Sequence, residues 1–261
     1  MQALASILAE TRTRVAALEG RASELEERAR KASAPKAFLD HPGKTVGIVA
    51  EVKRRSPSQG AIRPQLDPAT HARSYERGGA SAVSVLTEER HFGGSIEDLQ
   101  TVAGAVTVPV LRKDFIINEA QIIEARAAGA SAVLLIARIL SPIQLDELAR
   151  WVRYWDMTPL IEVHDMQELD AALAADPEVL GVNARDLDTL AMNPDRAREI
   201  MRRVPAGVTL VAESGVENRQ DVERLAEAGA DFILVGTSVA RQDDPEHAVR
   251  ALTGVRRHSR R

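Results

Sequence analysis

The sequence contains no cysteine, which excludes disulfides and thiolate metal sites. Aromatic residues are scarce, at 3% of the chain, so each one near a candidate site stands out. No apolar run approaches the roughly 20 residues of a membrane-spanning helix. Basic charge is not in excess. Thirty-four Lys and Arg against 38 Asp and Glu leave a formal net charge of −4, which speaks against a nucleic-acid footprint. Glu10, Arg12 and Arg14 interrupt any signal-peptide core near the start. These absences point to a cytoplasmic protein without a nucleic-acid or membrane partner. What remains is ordinary globular composition, 44% hydrophobic and 28% charged over 261 residues. α/β barrels of this length form one domain with a core that needs no covalent staples.

Eight short apolar, β-branched runs begin near Val46, Ser81, Val108, Ala132, Thr158, Val179, Val208 and Phe232. Each is continuously apolar rather than alternating, the pattern of parallel strands buried on both faces. Helix starts lie between them. Asp67, Ser141, Asn193 and Asp244 each precede a proline, the order of an N-cap and the first helical position. Ser141 and Gln144 can close a capping box, with Leu140 and Leu145 as its apolar staple. Ser95, Asn118, Asp165 and Asn218 suit as caps elsewhere. A weak repeat, Gly-Ala-Ser/Asp followed by an apolar run, begins at Gly79, Gly129 and Gly229. There a glycine can end a helix in the left-handed conformation just before a strand. Units of about 25 residues repeated eight times predict a closed (β/α)₈ barrel. An open doubly wound sheet is the rival, but it announces a glycine-rich turn after its first strand, where this chain has Lys53-Arg54-Arg55-Ser56.

Residues 1–40 stand apart from the barrel, assigned to 41–261. Leu4, Ile7, Leu8, Val15, Leu18 and Leu25 form an amphipathic pattern broken at Gly20. It predicts one or two helices packed on the barrel, with a dimerising helix as the competing reading. The assembly expected is a monomer or weak homodimer.

Barrel chemistry takes place at the carboxyl ends of the strands. Those ends carry Glu51 and Lys53, then Arg112, Lys113 and Asp114, then Glu162, Asn183 with Arg185, and Glu213 with Ser214. Charges are costly on buried strands unless paired or used. Some of these can be structural ion pairs; the convergence of the whole set predicts an active site. Gly215 and Gly236 follow strands seven and eight, where this fold often holds a phosphate on backbone N–H groups. Ser214, Thr237 and Ser238 add hydroxyl donors. Phe92 and Phe115 lie just past strands two and three and suggest a slot for a flat ring.

The motifs Glu51–Ser58, Val85–Glu88, Phe92–Ser95, Leu111–Phe115, Ile161–His164, Gly181–Leu187 and Ala212–Val216 together resemble the indole-3-glycerol phosphate synthase family. The resemblance runs in order from Phe38 to Leu252. It implies a lyase of tryptophan biosynthesis that acts on 1-(2-carboxyphenylamino)-1-deoxyribulose 5-phosphate by ring closure, decarboxylation and dehydration, without a cofactor. It casts Lys113 as the acid beside the ketone oxygen, and Lys53 and Glu162 as a later acid and base. Glu51 orients Lys53. Arg185 takes the substrate carboxylate, and Asn183 and Glu213 bind hydroxyls or fix neighbours, with Ser214 beside them. Ser56, Gly215, Gly236 and Ser238 are the phosphate candidates, and Phe92, Phe115 and Leu134 the walls of the anthranilate slot.

Departures from the family pattern are Gln59, His91 and Asn118, none at the acid or base. His164 is expected to cap the next turn or face water. No cluster of metal ligands is visible. The competing functions are another phosphate-binding barrel, such as phosphoribosylanthranilate isomerase, and a non-catalytic barrel that binds a phosphorylated ligand.

Overall fold

The computed structural model describes residues 2–39 and 43–260. Eight strands close into a barrel: β1 (Gly47–Val52), β2 (Ala82–Leu86), β3 (Val110–Lys113), β4 (Ala132–Ile136), β5 (Thr158–Val163), β6 (Val179–Asn183), β7 (Thr209–Glu213) and β8 (Phe232–Val235). Each pairs in parallel with its neighbours in sequence, and β8 closes on β1. The strand starts lie within two residues of the predicted ones, and the closed topology removes the open-sheet rival. The spacer after β1 forms a small hairpin, Arg55–Ser56 against Gly60–Ala61, over the barrel mouth.

Two buried layers account for the continuously apolar strands. Ile48, Ala50 and Val52 of β1 pack outward against the helices. Val49 joins Leu111, Leu134, Leu160, Val179, Val211 and Leu234 inside the barrel. Successive side chains on a strand alternate between these layers. The inner phase continues two residues further along each strand. It therefore carries Glu51, Lys113, Glu162, Glu213 and Gly236 to one mouth.

Local chemistry fixes the crossovers. Asp67, Ser95, Asn118, Ser141, Asp165, Asn193, Asn218 and Asp244 each accept a backbone N–H at the start of their helix. Ser141 and Gln144 close a reciprocal capping box. Gly79, Gly129 and Gly229 all sit at positive φ, +94°, +88° and +95°, where a side chain would be strained.

The N-terminal segment forms α1 (Gln2–Glu19) and α2 (Ala22–Lys31), separated at Gly20. Ile7 is buried in the inner cluster, with Leu4 and Leu8 partly covered beside it. Leu25 and Ala29 join the outer layer. Arg14 reaches Asp114, just past β3, at 3.0 Å. The apolar faces of both helices thus rest on the same chain. The boundary drawn between residues 40 and 41 lies outside the described residues.

Candidate active site

A cavity of about 380 Å³ opens at the carboxyl ends of the strands. Its lining includes Glu51, Lys53, Ser56, Phe92, Lys113, Phe115, Leu134, Glu162, Asn183, Arg185, Glu213, Ser214, Gly215 and Gly236. Residues as far apart in the chain as Glu51 and Gly236 therefore face one space, because the inward-facing register of each strand ends at the same mouth.

Lys113 is the hub. Its Nζ lies 2.9 Å from Glu162 Oε2 and 2.8 Å from Glu213 Oε2. Burial opposes the ammonium charge, but Glu162, Glu213 and Glu51 outweigh it and hold the lysine protonated, above its ordinary value. The two carboxylates differ. Burial pushes both up. At Glu162 the Lys113 and His164 charges win and hold the group well below the usual carboxylate range. At Glu213 burial and the neighbouring Glu162 charge prevail over Lys113, raising the group to about 8. One lysine between two carboxylates thus divides them into an ionised group and a protonatable one, the arrangement acid–base work requires.

Around this hub the register supplies the rest. Glu162 pairs across the sheet with Gly181, and Asn183 with Glu213. Asn183 Nδ2 donates to Glu162 Oε1 at 3.2 Å. A Cβ at Gly181 would collide with Glu213 Oε1, so only glycine leaves room for that carboxylate. Gly236 plays the same part on the other side: a Cβ there would lie 2.5 Å from Glu51 Oε1. Glu51 contacts Lys53 Nζ at 2.5 Å. Gly236 therefore makes space for the Glu51–Lys53 pair as well as a backbone lining the cavity. Arg185 is anchored by its backbone N–H to Asn183 and by Nη1 to the Leu190 carbonyl.

Phe92 and Phe115 face each other with ring centroids 6.3 Å apart and a 40° tilt. With Leu134 they form the apolar wall of the cavity. Ser214 and Gly215 are both at positive φ, +68° and +80°, which makes a sharp turn beyond β7. Thr237 and Gly236 line the cavity beside them. The first N–H groups of the short helix Thr237–Ala240 have no acceptor within it.

Three readings of the sequence need correction or refinement. Ser238 is not in the lining, and its hydroxyl donates to the Val216 carbonyl at 2.7 Å; Thr237 faces the cavity instead. Arg112, out of phase with Leu111 and Lys113, points outward and is bound by Thr87, Gln121, Asp114 and Glu124. His164 neither faces water nor caps a turn. Asp165 is the cap, and His164 has 0% exposure beside Glu162. The sequence reasoning also missed Leu187, Leu190 and Met192, which line the cavity from the segment after β6. They form no periodic pattern, so nothing local marked them.

Among the described residues, Glu10, Glu88 and His91 gather ligand-type atoms within 4.8 Å of one another. Glu88 is already engaged there, accepting the backbone N–H groups of Arg90, His91 and Phe92. It organises the loop after β2 and, through it, the position of Phe92.

The sequence profile of a family described as indole-3-glycerol phosphate synthase matches residues 4–252. The chain is 50% identical over 208 residues to the indole-3-glycerol phosphate synthase of a Nocardioides species, covering 80% of each chain. It is 45% identical to that of Mycobacterium ulcerans over 260 residues, covering 98% of this chain and 95% of the other. Among solved structures it resembles 3-hexulose-6-phosphate synthase from Salmonella typhimurium, with a TM-score of 0.65 and 14% identity over 79% of this chain and 96% of the other. It also resembles thiamine phosphate pyrophosphorylase from Pyrococcus furiosus, with a TM-score of 0.60 and 18% identity over 80% and 94%. The last two likenesses concern the fold alone.

Proposed function

Because the chain belongs to the indole-3-glycerol phosphate synthase family, we propose that the Lys113 hub and the residues around it carry out the family's reaction. The protein is a carboxy-lyase of tryptophan biosynthesis that acts on a phosphorylated small molecule. That membership sets aside the isomerase and the non-catalytic barrel.

In the proposed mechanism the anthranilate ring lies against Phe92, Phe115 and Leu134, and Arg185 engages its carboxylate in a fork. Ser56, Gly215, Gly236 and the start of the helix at Thr237 hold the phosphate. The ring carbon bearing the carboxylate attacks the ketone carbon, and Lys113 gives a proton to the ketone oxygen. Carbon dioxide then leaves, and the electrons of the broken C–C bond return to the ring. Dehydration follows. Lys53, oriented by Glu51, protonates the departing hydroxyl so that it leaves as water. Glu162 takes the proton released as the indole ring becomes aromatic. Asn183 and Glu213 bind hydroxyls and fix Glu162 and Lys113. The assembly proposed is a monomer or weak homodimer in the cytoplasm. Its support is that the apolar residues Ile7, Leu25 and Ala29 of the two N-terminal helices are buried within the same chain.

The observation that carries this reading is the shared cavity in which Lys113 meets Glu162 and Glu213 within 2.9 Å. The test is E162Q, assayed by the appearance of indole fluorescence. Removing one general acid or base lowers turnover by about 10²–10⁴-fold. The expected result is a kcat loss in that range with KM nearly unchanged. Wild-type turnover in E162Q would rule out Glu162 as the base.

A further inference from the structure

One buried titratable group has no part in the mechanism above. His164 lies just past the end of β5, two residues beyond Glu162, and has 0% exposure. Its Nε2 is 3.0 Å from Glu162 Oε1. Its Nδ1 is 3.0 Å from Glu168 Oε2, on the helix Met166–Ala174 that follows. The same Glu168 oxygen accepts the His164 backbone N–H at 2.6 Å. Glu168 Oε1 is held by Arg138 Nε. Arg138 in turn reaches Asp165 and Asp188 at 3.0 Å and Asp186 at 3.8 Å. The reacting carboxylate is thus tied, through one imidazole, to a fixed ion-pair cluster behind the barrel wall.

We propose that His164 is a positioning residue. Clamped between Glu162 and Glu168, it pins Glu162 Oε1 against the wall and leaves Oε2 to Lys113 and the substrate. This deepens the mechanism above and rests on Glu162 being the reacting base.

The two carboxylates also favour the charged form of the ring. Nδ1 is hydrogen-bonded to Glu168 at 3.0 Å, and Nε2 lies in ion contact with Glu162 Oε1 at the same distance. A neutral imidazole would bring a lone pair within 3.0 Å of one carboxylate oxygen; the imidazolium brings positive charge to both. Burial works against that charge, but the Glu162 and Glu168 carboxylates override it and raise His164 to about 9.

The groups facing this relay come from every element packed on it. Glu162 meets Lys113 from β3 and Asn183 from β6, and shares Lys113 with Glu213 from β7. His164 meets Glu162 and Glu168, and Glu168 meets Arg138, which follows β4. With His164 as a cation, Glu162 stays ionised and oriented. Without it, the Glu162 carboxyl keeps Lys113 but loses its second positive neighbour, so its pKa rises and Oε1 is held by Asn183 alone.

The experiment compares kcat and KM as functions of pH in wild type, H164Q and E162Q, with melting curves for each. Glutamine keeps a neutral donor near the Nε2 position. The expected result for H164Q is a kcat about tenfold lower, an unchanged KM, and an acid limb of the kcat profile moved up by about one pH unit, since one unit of pKa corresponds to a factor of ten. A purely structural role lowers the melting temperature and leaves the limb in place. E162Q separates the two readings. If E162Q stays active, the mechanism fails. If E162Q is inactive while the H164Q limb does not move, only the His164 proposal fails. Should H164Q not fold, ¹⁵N NMR of the wild-type imidazole decides. Both ring nitrogens protonated at neutral pH, titrating near 9, supports the clamp. A neutral ring at neutral pH overturns it.

Discussion

Buried carboxylates lie at both ends of this barrel, and their surroundings are opposite. At the amino-terminal end, just before β8, Asp231 accepts the Leu210 N–H at 2.9 Å, Arg257 at 2.7 Å and Arg260 at 2.9 Å. One carboxylate there meets two guanidiniums and a peptide, so both oxygens are engaged and the group is buried. At the other end Glu51, Glu162 and Glu213 share Lys53 and Lys113 around an open space. Negative charge exceeds positive, and the surplus appears as the raised Glu213. Residue type and burial are alike at the two ends; saturation is what separates a brace from a reactive centre. A saturated buried ion pair holds structure, and breaking one costs about 3–5 kcal/mol. An unsaturated one stores unfavourable charge that a substrate can use.

That contrast makes opposite demands on paired substitutions. E213Q removes the strained acid. It should lower kcat by about 10²-fold, because Lys113 loses a fixing partner, while raising the melting temperature, because the fold no longer has to hold a carboxyl protonated at neutral pH. A lower melting temperature would mean that the mouth, too, is a brace. D231A should do the reverse. It should destabilise the fold by about 3–5 kcal/mol in denaturant titration, with kcat unchanged under conditions where the protein remains folded. G181A sits between the two. Its new methyl displaces Glu213 without removing it, and a kcat loss of roughly tenfold is expected, with little change in KM. The last contrast is the pH dependence of stability. Glu213 is raised from its ordinary value of 4.5 to about 8, so its ionisation weakens the fold as pH rises across that window. His164 is raised from 6.5 to about 9, so its contribution is complete below pH 6.5 and is lost as pH passes through about 9. Melting temperature should therefore fall with pH over both windows, and H164Q should flatten only the upper one. An identical slope in H164Q would remove His164 from the charge balance.

Much of the fold was legible because its determinants are local. Asp67 and Ser141 announce their helices by capping and by the proline that follows. Gly79 and Gly129 mark their turns by a backbone conformation that other residues resist. The candidate site was legible for the same reason: Glu51, Lys113 and Glu162 interrupt apolar runs, and a charge there stands out. Arg112 stands out equally and yet belongs to the outer wall, because a continuously apolar strand hides which of two adjacent residues faces inward. Leu187 and Met192 escaped notice because a cavity wall made by an irregular loop has no period.

Sequence alone determined the eight-unit repeat, the starts and ends of the helices, and the set of polar residues that had to gather at one rim. Only the tertiary structure decided which of them face inward, that Lys113 is shared by carboxylates 49 and 100 positions away, and that His164 is locked behind one of them. Propensity and capping act over a few residues and are written locally. Shared protons and clamped carboxylates depend on the closure and register of the barrel, which no stretch of the chain carries by itself.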